Sequence, residues 1–230
     1  MKTIGLIGGM SCQSSAEYYR IVNENVQARL GGHHNARSLM LTVDFDEIER
    51  LQHQGDWDRI GALMERAARQ LEAGGADFLV LCTNTVHKVA DRIEAAVSIP
   101  FLHIADATAE AVRAQGLHTV ALLGTRFTME EDFYRGRLAS RHGLTVLTPG
   151  DADRAEVHRV IYEELCHGRI LEPSRSAFQR VIAGLKERGA EAVILGCTEI
   201  SLLIHPADSL LPVFDTTRIH VAAAVDFALQ

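Results

Sequence analysis

Two cysteines, Cys82 and Cys197, lie 115 residues apart in nearly the same surroundings: the segment GADFLVLCTNT beginning at Gly75 returns as GAEAVILGCTEI beginning at Gly189. Each cysteine closes a short apolar run and is followed by a threonine. A thiol titrates near 8.5 when unperturbed, and a helix N-terminus or a nearby donor brings it into the working range. One cysteine as thiolate and the other as thiol would give a base on one face of a carbon atom and an acid on the other, with the roles exchanged in the reverse direction. That is the equipment of stereochemical inversion.

The repetition extends beyond the cysteines. TIGLIGG at Thr3 is answered by TVALLGT at Thr119, and IPFLHI at Ile99 by LPVFDT at Leu211. Two similar halves would present their thiols to one shared cleft. Around that cleft, Thr83, Asn84 and Thr85 follow Cys82, and Thr198 and Glu199 follow Cys197. Such strand-end positions offer backbone N–H groups and short hydroxyls suited to a small carboxylate. The loop Gly8-Gly9-Met10-Ser11 forms a third cradle, and Gly124-Thr125-Arg126-Phe127-Thr128 is its counterpart. Glu199 is a candidate partner for a substrate ammonium. Cys12 lies in the first loop without a repeat partner, Cys166 reads as helix-end packing, and His87, His103 and His205 read as structural.

The elements that must position these residues alternate along the chain. Apolar strand-like runs at 3–7, 38–43, 78–81, 101–103, 119–123, 145–147, 192–195 and 213–214 are separated by helical patterns at 15–30, 56–74, 87–96, 105–115, 130–141, 155–166, 174–188 and 218–229. This alternation predicts α/β architecture with parallel-type sheets. The cysteines then fall at strand C-terminal ends, where open parallel sheets place their ligands. Ser14 with Glu17 predicts a capping box for the first helix. Residues 1–115 form a first domain, 116–215 a second, and the helix in 216–230 is expected to pack back on the first.

Composition narrows the function classes. The chain has 230 residues, 47% hydrophobic and 23% charged, with a formal charge of −7, so a polyanionic partner such as nucleic acid is not expected. No run approaches the roughly 18 apolar residues of a membrane span, and the N-terminus lacks a signal-peptide pattern. A cytoplasmic location follows, with the four cysteines as thiols. No C-x-x-C spacing supports a metal.

The segments GLIGGMS, LCTNTVHKVAD, FLHIADAT, ALLGTRFTMEEDFYRGRL, ILGCTEI and LPVFDT resemble the aspartate/glutamate racemase family of cofactor-independent enzymes, over essentially the whole chain. Within it the chain is most similar to the bacterial broad-specificity amino acid racemases. The resemblance implies two Rossmann-like domains in pseudo-twofold relation with the active site in the cleft between them, commonly as a homodimer, without pyridoxal phosphate or metal. It implies racemisation of a free amino acid, aspartate, glutamate or a broader range. Cys82 and Cys197 match the proton-transferring pair. Met10, Gln52, Thr83, Asn84, Thr85, Thr198 and Glu199 match residues that hold substrate, and Thr125 and Thr128 match a hydroxyl-bearing loop of the second half. Relatives usually read GGMSWES after the first strand; here Cys12 and Gln13 replace Trp and Glu, a change that bears on substrate range.

Other classes fit less well. G-x-G-x-x-G is not met, which argues against a dinucleotide-binding dehydrogenase. The three lysines, Lys2, Lys88 and Lys186, have no setting suited to a pyridoxal Schiff base. A maleate isomerase would keep both cysteines, a malonate-type decarboxylase needs one, and an amino acid sensor would bind without turnover.

Overall fold

A computed structural model describes all residues, 1–230. The chain divides into two units, Met1–His103 with His220–Gln230, and Ile104–Ile219.

The first unit runs β1 (Ile4–Gly8), α1 (Cys12–Leu30), β2 (Ser38–Thr42), α2 (Phe45–Gln54), α3 (Trp57–Ala73), β3 (Phe78–Leu81), a 3-10 turn (Thr85–Val89), α4 (Ala90–Ala96) and β4 (Phe101–Leu102). Its strands are all parallel, in the order β2-β1-β3-β4. Every residue of β1 and β3 is buried, because helices cover both faces. On one face Ile7, Leu79 and Leu81 pack with Ile48, Leu51, Ile60 and Met64. On the other, Ile4, Leu6, Phe78 and Val80 pack with Tyr18, Ile21 and Val22, and with Val221, Ala224 and Val225 from the end of the chain. The period-2 alternation of strand side chains assigns each residue to its cluster.

The second unit contains α5 (Ile104–Ala114), β5 (Thr119–Gly124), α6 (Arg126–Glu130), α7 (Asp132–His142), β6 (Thr145–Leu147), α8 (Asp151–Glu163), α9 (Glu172–Glu187), β7 (Ala192–Gly196), α10 (Ile200–Leu203) and β8 (Val213–Asp215), with α11 (Thr216–Leu229) running on into the first unit. Its parallel strand order, β6-β5-β7-β8, is that of the first sheet. Val120, Leu122, Ala192 and Ile194 pack on Ile104, Ala109, Val112 and Leu138. Helix α5 therefore sits on the second sheet, and the chain passes between units before it, at residue 103, not near 116.

The two units are α/β sheets of the expected class, and all eight expected strands form. The helices differ in several places, among them α8, which runs Asp151–Glu163 where 155–166 is expected, and α10, which has no element in the sequence pattern. Helix α1 starts at Cys12, not Ser15, and its capping box is Ser11 with Ser14. Ser11 has extended backbone and accepts from Ser14 N–H, while Glu17, expected as the box carboxylate, is held by Arg20 at 2.9 Å. Residues Phe45–Gln54, given no element by the sequence pattern, form a helix between caps Asp44 and Gly55. The helix expected over 130–141 is interrupted at Glu131, whose backbone is extended. The helix expected over 87–96 begins as a 3-10 turn at Thr85.

Candidate active site

In each unit the strand order reverses beside the first strand, between β1 and β3 and between β5 and β7. Ligands of open parallel sheets bind at such switch points, beyond the strand C-termini. Cys82 and Cys197 follow β3 and β7 there.

In the first unit, Cys82 N–H donates to Ile7 O at 2.9 Å, which ties the cysteine to the end of β1. The loop after β1 turns at Gly9, with φ +98°, where a Cβ would lie 2.1 Å from Val43 O; only glycine fits. Met10 and Ser11 follow, both buried, and the Met10–Ser11 peptide is cis. The loop is pinned by two serines, Ser15, which the sequence pattern does not single out, and Ser14, expected only as a helix cap. Ser15 Oγ accepts from Gly9 N–H at 2.7 Å and Ser14 Oγ donates to Cys82 O at 3.3 Å. The i, i+3, i+4 spacing of Ser11, Ser14 and Ser15 at a helix start was the available signal. Gln52 is 4% exposed on α2, whose Ile48 and Leu51 share an apolar cluster with Met10 and Leu81. Thr83, Asn84 and Thr85 are all buried. The first unit thus gathers Met10, Ser11, Gln52, Cys82, Thr83, Asn84 and Thr85 around one sheet end.

The second unit repeats the plan with different groups. Gly124 and Gly196 are register partners, and a Cβ on Gly124 would meet Gly196 O at 2.8 Å, so side chains on either would push β5 and β7 apart just before Thr125 and Cys197. Thr125 caps α6, accepting from Thr128 N–H at 3.3 Å, and the two hydroxyls lie 3.2 Å apart. Cys197 Sγ donates to Glu199 Oε2 at 3.0 Å, and Thr198 Oγ1 donates to the same oxygen at 2.6 Å. The second unit brings together Thr125, Thr128, Cys197, Thr198 and Glu199.

The thiols differ electrostatically. Burial alone pushes the Cys82 thiol far up from its ordinary value. Burial also raises Cys197, and the Glu199 carboxylate and the nearby Cys166 raise it further. Both rest as neutral thiols, and of the two only Cys197 touches a carboxylate. Cys12, on the first turn of α1, is exposed and hydrogen-bonded to Gln13 at 3.1 Å. No group of His, Cys, Asp and Glu is arranged to hold a metal, and no helix is long and apolar enough to cross a membrane.

Each unit is thus a parallel α/β sheet with a cysteine at its switch point. The sequence profile described as Asp/Glu/Hydantoin racemase matches residues 7–224. The crystal structure of a provisionally assigned Asp/Glu racemase from Yersinia pestis is 55% identical, covers 100% of both chains and superposes with a TM-score of 0.94. An aspartate racemase homologue from Pyrococcus horikoshii is 33% identical, again over 100% of both chains, with a TM-score of 0.88. The broad specificity amino-acid racemase RacX of Bacillus subtilis is 22% identical over 93% of this chain and 92% of its own. The chain belongs to the Asp/Glu/Hydantoin racemase family.

Proposed function

We propose that this protein racemises free amino acids without a cofactor, Cys82 and Cys197 acting as the two proton-transferring groups on opposite faces of Cα. The observation that carries the reading is the equivalence of the two thiols: same strand, same switch point, same following threonine, one in each half. In the reaction one cysteine, as thiolate, takes the Cα proton. The electron pair moves onto the carboxylate as an enediolate, and the other thiol delivers its proton to the opposite face. The products are the enantiomer and an enzyme whose thiol and thiolate have changed places. Backbone N–H groups after the strands suit the growing charge on the carboxylate oxygens.

Glu199 is the asymmetry between the two ends: its carboxylate accepts from the Cys197 thiol at 3.0 Å and holds that thiol's pKa up, and Cys82 has its pKa raised by burial alone. No Lys or Arg is among the residues offered for substrate, and Arg126 and Arg218, which follow β5 and β8, are exposed.

The test is a panel of L- and D-amino acids, including aspartate and glutamate, followed by loss of optical rotation. Inversion of one or more members, abolished by Cys82→Ser or Cys197→Ser, is the expected result. Saturable binding with no inversion anywhere in the panel would instead identify a sensor.

A further inference from the structure

Several hydroxyls gather at the C-terminal end of the second sheet, and nearly all have a partner within the protein. Thr198 Oγ1 donates to Glu199 Oε2 at 2.6 Å, Ser201 Oγ to Thr198 O at 2.9 Å, and Thr216 Oγ1 to Leu195 O at 2.8 Å. Thr125 and Thr128 bond each other at 3.2 Å. Thr217 is the exception. The residue is 1% exposed, and its Oγ1 is buried with no hydrogen-bond partner.

The start of α11 explains why nothing local satisfies this hydroxyl. A threonine inside a helix can donate to the carbonyl four residues back. Helix α11 begins at Thr216, so that carbonyl, on Val213, belongs to β8. A threonine at a helix start can instead accept from the N–H groups of the first turn. Asp215 does so here, its Oδ1 accepting from Thr217 N–H at 2.9 Å and from Arg218 N–H at 3.2 Å. Burying a hydroxyl unpaired is less stable than burying a methyl group of the same shape. Such a group in a folded protein marks a place where water or a ligand completes the bonding.

Its position points to the ligand. Leu195 of β7 and Asp215 of β8 are register partners, and Cys197 and Thr217 each stand two residues beyond. The Thr216–Leu195 bond keeps the start of α11 against the end of β7. Thr217 thus lies at the same strand edge as the cysteine, where open parallel sheets take their ligands. Glu199 already offers that edge an acceptor suited to an ammonium group. A carboxylate accepts only, so it needs donors, and the Thr217 proton is uncommitted.

We infer that Thr217 is a substrate-binding residue whose hydroxyl donates to the carboxylate of the amino acid. The identity of the ligand rests on the racemase reading; the orphan hydroxyl does not. Removing the hydroxyl therefore acts with opposite signs on the free protein and on its complex.

The test compares Thr217→Val, which exchanges the hydroxyl for a methyl group, with Thr217→Ser, which keeps it. The Val variant is expected to melt at the wild-type temperature or about 2–4 °C above it. Its kcat/KM for any amino acid that the wild type inverts should fall by about 10–100-fold, the scale of a hydrogen bond to a charged group. Ser should restore most of that loss. Calorimetric titration with L-aspartate, L-glutamate, L-alanine and L-methionine supplies an arm independent of turnover, in which the Val variant binds about tenfold more weakly or worse and the Ser variant recovers. Wild-type kcat/KM and affinity in the Val variant would overturn the inference, as would a Ser variant no better than Val. A Val variant that melts several degrees lower or does not fold would also overturn it, by showing that the hydroxyl is bonded inside the protein through water. A wild type that binds a member of the panel but inverts none, with affinity lost in Val and regained in Ser, would refute the racemase reading alone. A wild type that inverts amino acids and is matched by its Val variant would refute the role of Thr217 alone. A wild type that neither binds nor inverts any of them would refute both.

Discussion

Cys82-Thr83-Asn84 and Cys197-Thr198-Glu199 occupy the same place in two sheets of identical strand order, yet one is electrically neutral and the other carries a carboxylate in contact with its thiol. Duplication accounts for the matched frame. The divergence of one residue, Asn84 against Glu199, separates the electrostatics of the two ends: the pKa of Cys82 is raised by burial alone, and that of Cys197 by burial and a neighbouring carboxylate together. The supporting loops diverge in parallel. Serines at positions 11, 14 and 15 pin the first, and the Thr125–Thr128 hydroxyl pair pins the second.

The largest test of the comparison removes either sulfur. Cys82→Ala and Cys197→Ala should each lower kcat by ~10³ to 10⁴, the upper range for loss of a positioned acid or base, while circular dichroism stays unchanged. Exchanging the divergent residue comes next. Glu199→Gln should speed iodoacetamide labelling of Cys197 at neutral pH, because removing the neighbouring negative charge lets the thiol pKa fall. Asn84→Asp should do the reverse to Cys82, raising its pKa and slowing its labelling.

The pH profile follows from the same difference. The proposed mechanism needs one thiolate and one thiol, and both thiols are raised by burial. The rate should climb with pH on the alkaline side of neutrality as the first proton leaves the pair, and fall only when the second does. The two limbs belong to the pair. A profile already flat at pH 6 would show that burial is relieved when substrate binds.

Stability gives a smaller contrast. His220 is fully buried in the first unit, donating from Nε2 to Leu102 O at 2.9 Å and accepting from Tyr18 OH at 2.9 Å. Burial lowers its pKa from 6.5 to about 4. The unfolded chain therefore binds this proton first, and stability is whole above pH 6.5 and declines as pH falls toward 4, by about 3 kcal/mol in all. Asp106 in the second unit is held down by Arg137 at 2.6 and 2.7 Å and by His142 at 2.9 Å. Its contribution is present above the ordinary carboxylate range and is lost only at lower pH. Urea unfolding at stepped pH should show the His220 loss first, and His220→Gln should remove that part of the slope.

Much of this was legible beforehand because central strands of a parallel sheet are continuous apolar runs, and FLVL and AVILG are unmistakable as such. The cysteines and their loops followed from the repeat. Helix α2 did not, since FDEIERLQHQ has few apolar positions and its helical state depends on the caps Asp44 and Gly55 and on burying Ile48 and Leu51. Gln52 could therefore be named only by resemblance. The passage between units was displaced because a repeat fixes corresponding positions but not which sheet the intervening helix α5 covers.

Labelling during the first turnovers in heavy water is the most direct measurement of the two-thiol claim. A single enantiomer is incubated with the protein in deuterium oxide, and both enantiomers are recovered while conversion is small. Two distinct groups, each exchanging its own proton with solvent, predict deuterium at Cα in the newly formed enantiomer and protium retained in the recovered substrate. Deuterium entering both enantiomers at the same rate would mean that one group serves both faces, and would contradict the account.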